Sequence, residues 1–154
     1  METPRPRTYN GHTFSPNAAD NKQYFEKAIK QVVKDIRLIA TPAEVRIDAY
    51  MEMPTNVPPD EVILYEAGLL RPICLPDVDN LAKCYLDMLT GILTIDDCFF
   101  YQMEIQKWYS LEPRVEMRIS YQTALDSDYL YHRIKNRKTV KAAIEDGRIE
   151  LKRL

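Results

Sequence analysis

Residues 75–97 read LPDVDNLAKCYLDMLTGILTIDD, and the fold can be worked out from this stretch. Asp77 and Asp79 stand two residues apart where an extended approach gives way to a helix. Lys83 follows one turn into that helix, and Asp96-Asp97 lie just past its C-terminal loop. Leu81, Tyr85, Met88 and Leu89 share one apolar side, which predicts a helix over 79–89 closed by Gly91. Carboxylates from two places that one short helix can bring together, with a lysine beside them, point to a divalent-metal phosphodiester site.

Outward from that helix the pattern changes period. On the N-terminal side, Pro4-Arg5-Pro6-Arg7 is a proline-stiffened opening. Ser15-Pro16 reads as N-cap and first helical position, and apolar residues from Tyr24 to Ile36 recur every four, predicting a helix to about residue 38. Val45, Ile47, Ala49, Met51 and Met53 alternate with polar residues as a half-buried strand. A proline-rich loop over 54–61 follows, and 62–65 is a short helix or strand. On the C-terminal side, 99–109 and 114–121 alternate as two strands with 110–113 as the turn. Asp126 or Ser127 caps a last helix that is expected to run to Gly147. Helix, strand, helix, strand, strand, helix predicts an α+β fold, a small mixed sheet flanked by helices.

A chain of 154 residues is long enough for one domain with a substantial core. Its 45% hydrophobic and 29% charged content is that of an ordinary globular protein. No apolar run approaches the roughly 18 residues of a membrane span, and the first twelve residues lack a secretory apolar core, so no membrane partner is expected. Cys74, Cys84 and Cys98 are odd in number and never spaced CxxC, which fits reduced thiols in a cytoplasm. Net charge is −2, yet residues 129–154 carry eight basic against three acidic side chains. An acidic centre with a basic end suits a metal site beside a phosphate-binding surface, and equally an ordinary solvated helix.

Hydrolysis of a phosphodiester needs a nucleophile made from water and relief of charge on the transition state, which divalent ions supply. Mg²⁺ takes oxygen ligands, only a few of them protein carboxylates. Asp77 and Asp79 would face one ion as the chain enters the helix, Lys83 at i+4 from Asp79 would rise beside them, and Asp97 would close the ligand set. Each piece also has a plain structural alternative. Asp79 is a good N-cap, Asp79 and Lys83 make an exposed ion pair, and Asp96-Asp97 suit a turn. His12 and His132 lack metal-ligand spacing, and no GxSxG, P-loop or GxGxxG occurs.

Pro76-Asp77-Val78-Asp79-Asn80-Leu81-Ala82-Lys83, then Leu86-Asp87-Met88-Leu89, Gly91 and Asp96-Asp97, resembles the RusA family of Holliday junction resolvases, whose pattern runs PDxDNLxK, DxL, DD. Arg5-Pro6-Arg7, Thr13-Phe14-Ser15-Pro16 and Lys107 followed by Glu112-Pro113-Arg114-Val115 resemble flanking stretches of that family. The resemblance spans residues 4 to 120 and implies a homodimeric, Mg²⁺- or Mn²⁺-dependent endonuclease that nicks four-way DNA junctions on opposing strands. It implies metal-binding roles for Asp77, Asp79 and Asp97, a less defined one for the neighbouring Asp96, a catalytic lysine in Lys83, and DNA contacts from Arg5, Arg7, Lys107 and Arg114. A bacterial cytoplasm and a phage or prophage gene are implied as well. Only Met1-Glu2-Thr3 precede the Pro4-Arg5-Pro6-Arg7 stretch, so the apolar strand usual there is expected to be absent, and Leu75 stands where many members carry a lysine. The expected organisation is a RusA-like nuclease domain over 1–121 and a basic helical extension over 122–154. Two other expectations compete with the nuclease: a branched-DNA-binding protein of this fold without cleavage activity, and a DxD enzyme that holds a nucleotide-sugar phosphate through metal.

Overall fold

The computed structural model describes residues 7–9, 12–14, 18–32 and 37–154. The strands β1 (Arg7–Tyr9) and β2 (His12–Phe14) form an antiparallel hairpin in which Arg7 pairs with Phe14. No alternating pattern announces these three-residue strands. Helix α1 (Ala18–Val32) covers most of the predicted first helix, and its expected Ser15-Pro16 start lies outside the described residues. The expected continuation to residue 38 does not hold. Leu38 is non-helical, its N–H bonded to the carbonyl of Arg148 at 2.9 Å, and it is buried among C-terminal side chains.

Strand β3 (Ala43–Glu52) follows, then α2 (Val62–Glu66), α3 (Val78–Leu89), a 3-10 turn over Asp97–Phe99, β4 (Phe100–Ser110) and β5 (Arg114–Tyr121). The three long strands form a mixed sheet in the order β4-β3-β5. The central strand shows the alternation read from its sequence: Val45, Ile47 and Ala49 are buried while their neighbours are half-buried. Residues 111–113 carry the chain across β3, a step of two inter-strand spacings or about 10 Å that four extended residue steps cover. Among the described residues this is an α+β fold, as expected. No described helix is long and apolar enough to cross a membrane.

The expected single C-terminal helix is two, α4 (Asp128–Lys135) and α5 (Lys138–Glu145). Ser127 caps α4 by accepting from the N–H of Leu130 at 3.2 Å. Arg137 is extended, at φ −65° and ψ 134°, and ends the helical path between them. At the far end Gly147, at φ +71°, donates to Ile144 and Arg148 donates to Ala143, closing α5 with paired bonds across a left-handed residue.

The chain falls into two compact units. One comprises Arg46–Lys83, Glu104–Arg118 and the segment carrying β1 and β2; the other comprises Ala18–Val45, Cys84–Met103 and Ile119–Leu154. Within the first, Trp108 lies 6.1 Å from Tyr50, nearly parallel, with the Arg71 guanidinium 3.3 Å above its ring. The indole N–H donates to Asp48 at 2.8 Å, and Tyr65 meets Tyr109 edge-on. Glu66 in turn accepts from Ser110 and from the N–H of Leu111, tying α2 to the end of β4. Within the second, Leu38, Ala40, Phe99, Leu125, Ile134, Val140, Ala143 and Ile149 form one apolar cluster.

Candidate active site

The helix that carries the motif begins one residue earlier than its apolar pattern predicts. The carbonyl of Asp77 accepts from Leu81 at 3.0 Å, which makes Asp77 the capping residue, and its carboxylate accepts from the Asn80 amide at 3.4 Å. Asp79 is therefore inside the first helical turn, not in an extended segment alternating with Asp77. There the partial positive charge of the helix's first N–H groups favours a carboxylate. Asp77, Asp79 and Lys83 are all exposed. Lys83 has no ion pair or hydrogen bond among the described residues, and the expected Asp79–Lys83 ion pair is not formed. Its ammonium is uncommitted among the described residues.

The approach to Asp77 is held from behind by a residue on β4. Lys107, half-buried, donates through Nζ to the carbonyls of Cys74 at 2.6 Å and Pro76 at 3.2 Å. Here its ammonium fixes the backbone that presents Asp77. Arg114 is also engaged: it pairs with Glu116 at 2.7 Å, donates to the Glu112 carbonyl at 3.0 Å and lies 3.9 Å over the Tyr50 ring. Glu116 is the leading cause of its raised pKa. Arg7 opens β1, and Arg5 lies outside the described residues.

In the other unit, the loop after α3 is set by Thr94, whose fully buried hydroxyl donates to the Asp96 carbonyl at 2.8 Å. Ile39 brackets the same loop, donating to Leu93 at 2.8 Å and accepting from Ile95 at 3.1 Å. Asp96 then caps the 3-10 turn, accepting from the N–H of Cys98 at 3.0 Å. That bond is the main reason its carboxyl lies below the ordinary range, and the charge of Arg137 pulls the same way. The Asp97 carboxyl is pushed up, first by a hydrogen bond shared with Asp96, then by partial burial and by the charges of Asp96 and Asp87. Two adjacent exposed carboxylates make a local surplus of negative charge that a cation would relieve.

Two residues near these carboxylates escaped the sequence reading. Asp87 was visible in the motif but had no role; its i+4 spacing from Lys83 was the available signal. Arg137 had no local signal at all. The hard oxygen donors of Asp77, Asp79, Asp96 and Asp97 suit Mg²⁺ or Mn²⁺ chemically. Among the described residues no three His, Cys, Asp or Glu side chains come together as a metal-binding group. Asp77, Asp79 and Lys83 belong to one unit, and Asp87, Asp96 and Asp97 to the other.

Comparison with known proteins bears directly on this motif. The family described as endodeoxyribonuclease RusA matches residues 1–120. A relative in Bacillus subtilis (strain 168), the uncharacterized protein YqaN, is 34% identical over 121 residues, which cover 75% of this chain and 84% of the relative.

Proposed function

The chain belongs to the RusA endodeoxyribonuclease family, and from that premise we propose that it resolves four-way DNA junctions by paired, Mg²⁺-dependent phosphodiester hydrolysis, with Mn²⁺ able to substitute. The observation that carries this reading is Lys83: an exposed ammonium, uncommitted among the described residues, one turn from Asp79 at the start of the helix that bears the family's motif. An ammonium left free of carboxylates is available to a substrate phosphate and to the charge that builds on it during cleavage. Asp77, Asp79 and Asp97 would hold the ion, with Asp96 beside them. Bound there, the metal would supply an activated water and charge relief. Lys107 keeps the backbone of Asp77 in place throughout.

A homodimer belongs to this proposal, because a junction with two-fold symmetry needs two equivalent cuts. Ile63, Leu69 and Ile73, at 69%, 72% and 99% exposure, offer apolar surface for a partner subunit. Cysteines held as thiols, outside any disulfide, fit a bacterial cytoplasm, and we place the gene in a phage or prophage.

The decisive experiment is incubation of a synthetic four-way junction with the full chain and Mg²⁺. Symmetric nicks are expected, with Asp79→Asn lowering the rate by about 10²–10³-fold. Intact junctions with a folded wild-type chain would refute the proposal. A branched-DNA-binding protein of the same fold without cleavage is the competing outcome of this experiment. Under that reading the junction shifts in a gel and stays uncut in Mg²⁺.

A further inference from the structure

Arg137 lies beyond the segment that matches the family, at the break between α4 and α5. Its guanidinium nevertheless reaches the turn that carries Asp97. Nη1 donates to the Cys98 sulfur at 3.1 Å, and Cζ sits 5.0 Å from the centroid of the Phe99 ring. Cys98 and Phe99 are the second and third residues of that turn, and all four residues belong to one compact unit.

Two features of this contact are unusual for an arginine with a purely structural role. Sulfur is a weak acceptor, so the bond to Cys98 repays little of the roughly 2 kcal/mol of rotamer freedom that an ordered arginine gives up. Moreover, Arg137 is exposed and forms no ion pair with a carboxylate among the described residues, although Asp96 is near enough to feel its charge. Among the described residues only one of its five N–H donors finds a partner. The side chain is thus anchored at its flank by sulfur and ring, with most of its planar fork open to solvent. Lys138 and Lys141, both exposed on α5, continue the positive charge away from it.

We infer that Arg137 is a DNA-phosphate-binding residue, which uses its open fork to hold a backbone phosphate next to the bond cut at the Asp96-Asp97 end of the site. A planar guanidinium matches two oxygens of a phosphate in a way an ammonium cannot. The position of the break in the C-terminal helical segment acquires a purpose: it delivers a cation from outside the family-matched chain to the carboxylates inside it. This inference rests on the nuclease reading above.

The test measures binding of a four-way junction by the full chain in EDTA, so that no cleavage intervenes, across a series of salt concentrations. Arg137→Gln is expected to weaken binding about tenfold near 0.1 M salt and to lower the slope of log K against log salt by about one. Arg137→Lys should restore the slope while recovering only part of the affinity. A slope and affinity for Arg137→Gln equal to wild type would overturn the inference. So would weaker binding with an unchanged slope, the result a merely structural arginine gives. Should Arg137→Gln fail to melt cooperatively, Arg137→Met keeps the apolar stem against Phe99 and serves for the same comparison. The two failures are separable: a wild-type chain that binds but never nicks in Mg²⁺ refutes the nuclease and leaves the slope comparison standing. Nicking by wild type with an unchanged slope in the variant refutes only the role of Arg137.

Discussion

Asp97 is held in a position that costs the folded chain something. Its carboxyl shares a hydrogen bond with Asp96 and stands near the charge of Asp87, and these neighbours raise its pKa. A carboxyl whose folded pKa lies above its unfolded value contributes stability while protonated and loses it as pH rises through the folded pKa. Asp96 has the opposite sign: its carboxyl is lowered, mainly by the Cys98 N–H, so its contribution is present above the ordinary carboxylate range and is lost on acidification. Near neutral pH the repulsion at Asp97 is therefore fully expressed. Asp97→Asn removes that charge and keeps a hydrogen-bond donor for Asp96. In EDTA the variant is expected to melt above wild type at pH 7–8, the difference shrinking toward pH 4 as Asp97 takes up its proton. A melting temperature at or below wild type at neutral pH would show that the pair is not strained. Stability gained by deleting a site carboxylate is what a functional site predicts, since such sites retain unfavourable charge for use.

At the scale of elements, legibility depended on whether local pattern and tertiary packing agreed. Strands β3 and β5 were readable because apolar residues alternate and one face of the central strand is buried. The N-terminal hairpin was not, since three residues per strand hold too little pattern to register. The break at Arg137 was illegible for a clearer reason. No proline or glycine occurs between Asp128 and Glu145, so local propensity argues for one helix. Yet Ile134 and Val140 both enter the same core. Six residues along a continuous helix would set them about 120° apart around the axis. Breaking the helix lets both face inward, and packing decides. The candidate site divided similarly. Its carboxylates and lysine stood in a motif, whereas Lys107 and Arg137 act across 31 and 39 residues of sequence. Glycines give a direct test of how far local geometry matters. Gly147, at φ +71°, has nothing within 4 Å of where a Cβ would stand, so Gly147→Ala should cost only the left-handed strain, about 1–2 kcal/mol. Gly68, at φ +75°, would place its Cβ 2.5 Å from the Trp108 ring. Gly68→Ala should therefore cost measurably more in denaturant unfolding. Equal losses would mean the ring yields without penalty.

For the whole molecule, the question is whether residues 122–154 are an appendage or part of the fold. The family match stops at residue 120, but the apolar cluster does not. Leu38, Ala40 and Phe99 come from the matched segment and are covered by Leu125, Ile134, Val140, Ala143 and Ile149 from beyond it. Backbone bonds reinforce the cover: Leu38 donates to Arg148, Leu125 to Lys152 and Leu154 to Leu125, each at 2.9 Å. Phe99 ends the turn that begins with Asp97, so the same cover seats a carboxylate of the candidate site. Losing the four buried Leu, Ile and Val side chains among these, at about 1.5–3 kcal/mol each, would remove as much free energy as a typical domain has to spare. A chain ended after residue 121 is thus expected to lose its cooperative thermal transition and to expose apolar surface to a hydrophobic dye, while the full chain melts in one step. A truncated chain that melts cooperatively within a few degrees of the full one would make the C-terminal segment dispensable to the fold. Junction binding could then still fall, through loss of Arg137 and its neighbours, and measuring both on one preparation separates a structural role for the segment from a DNA-binding one.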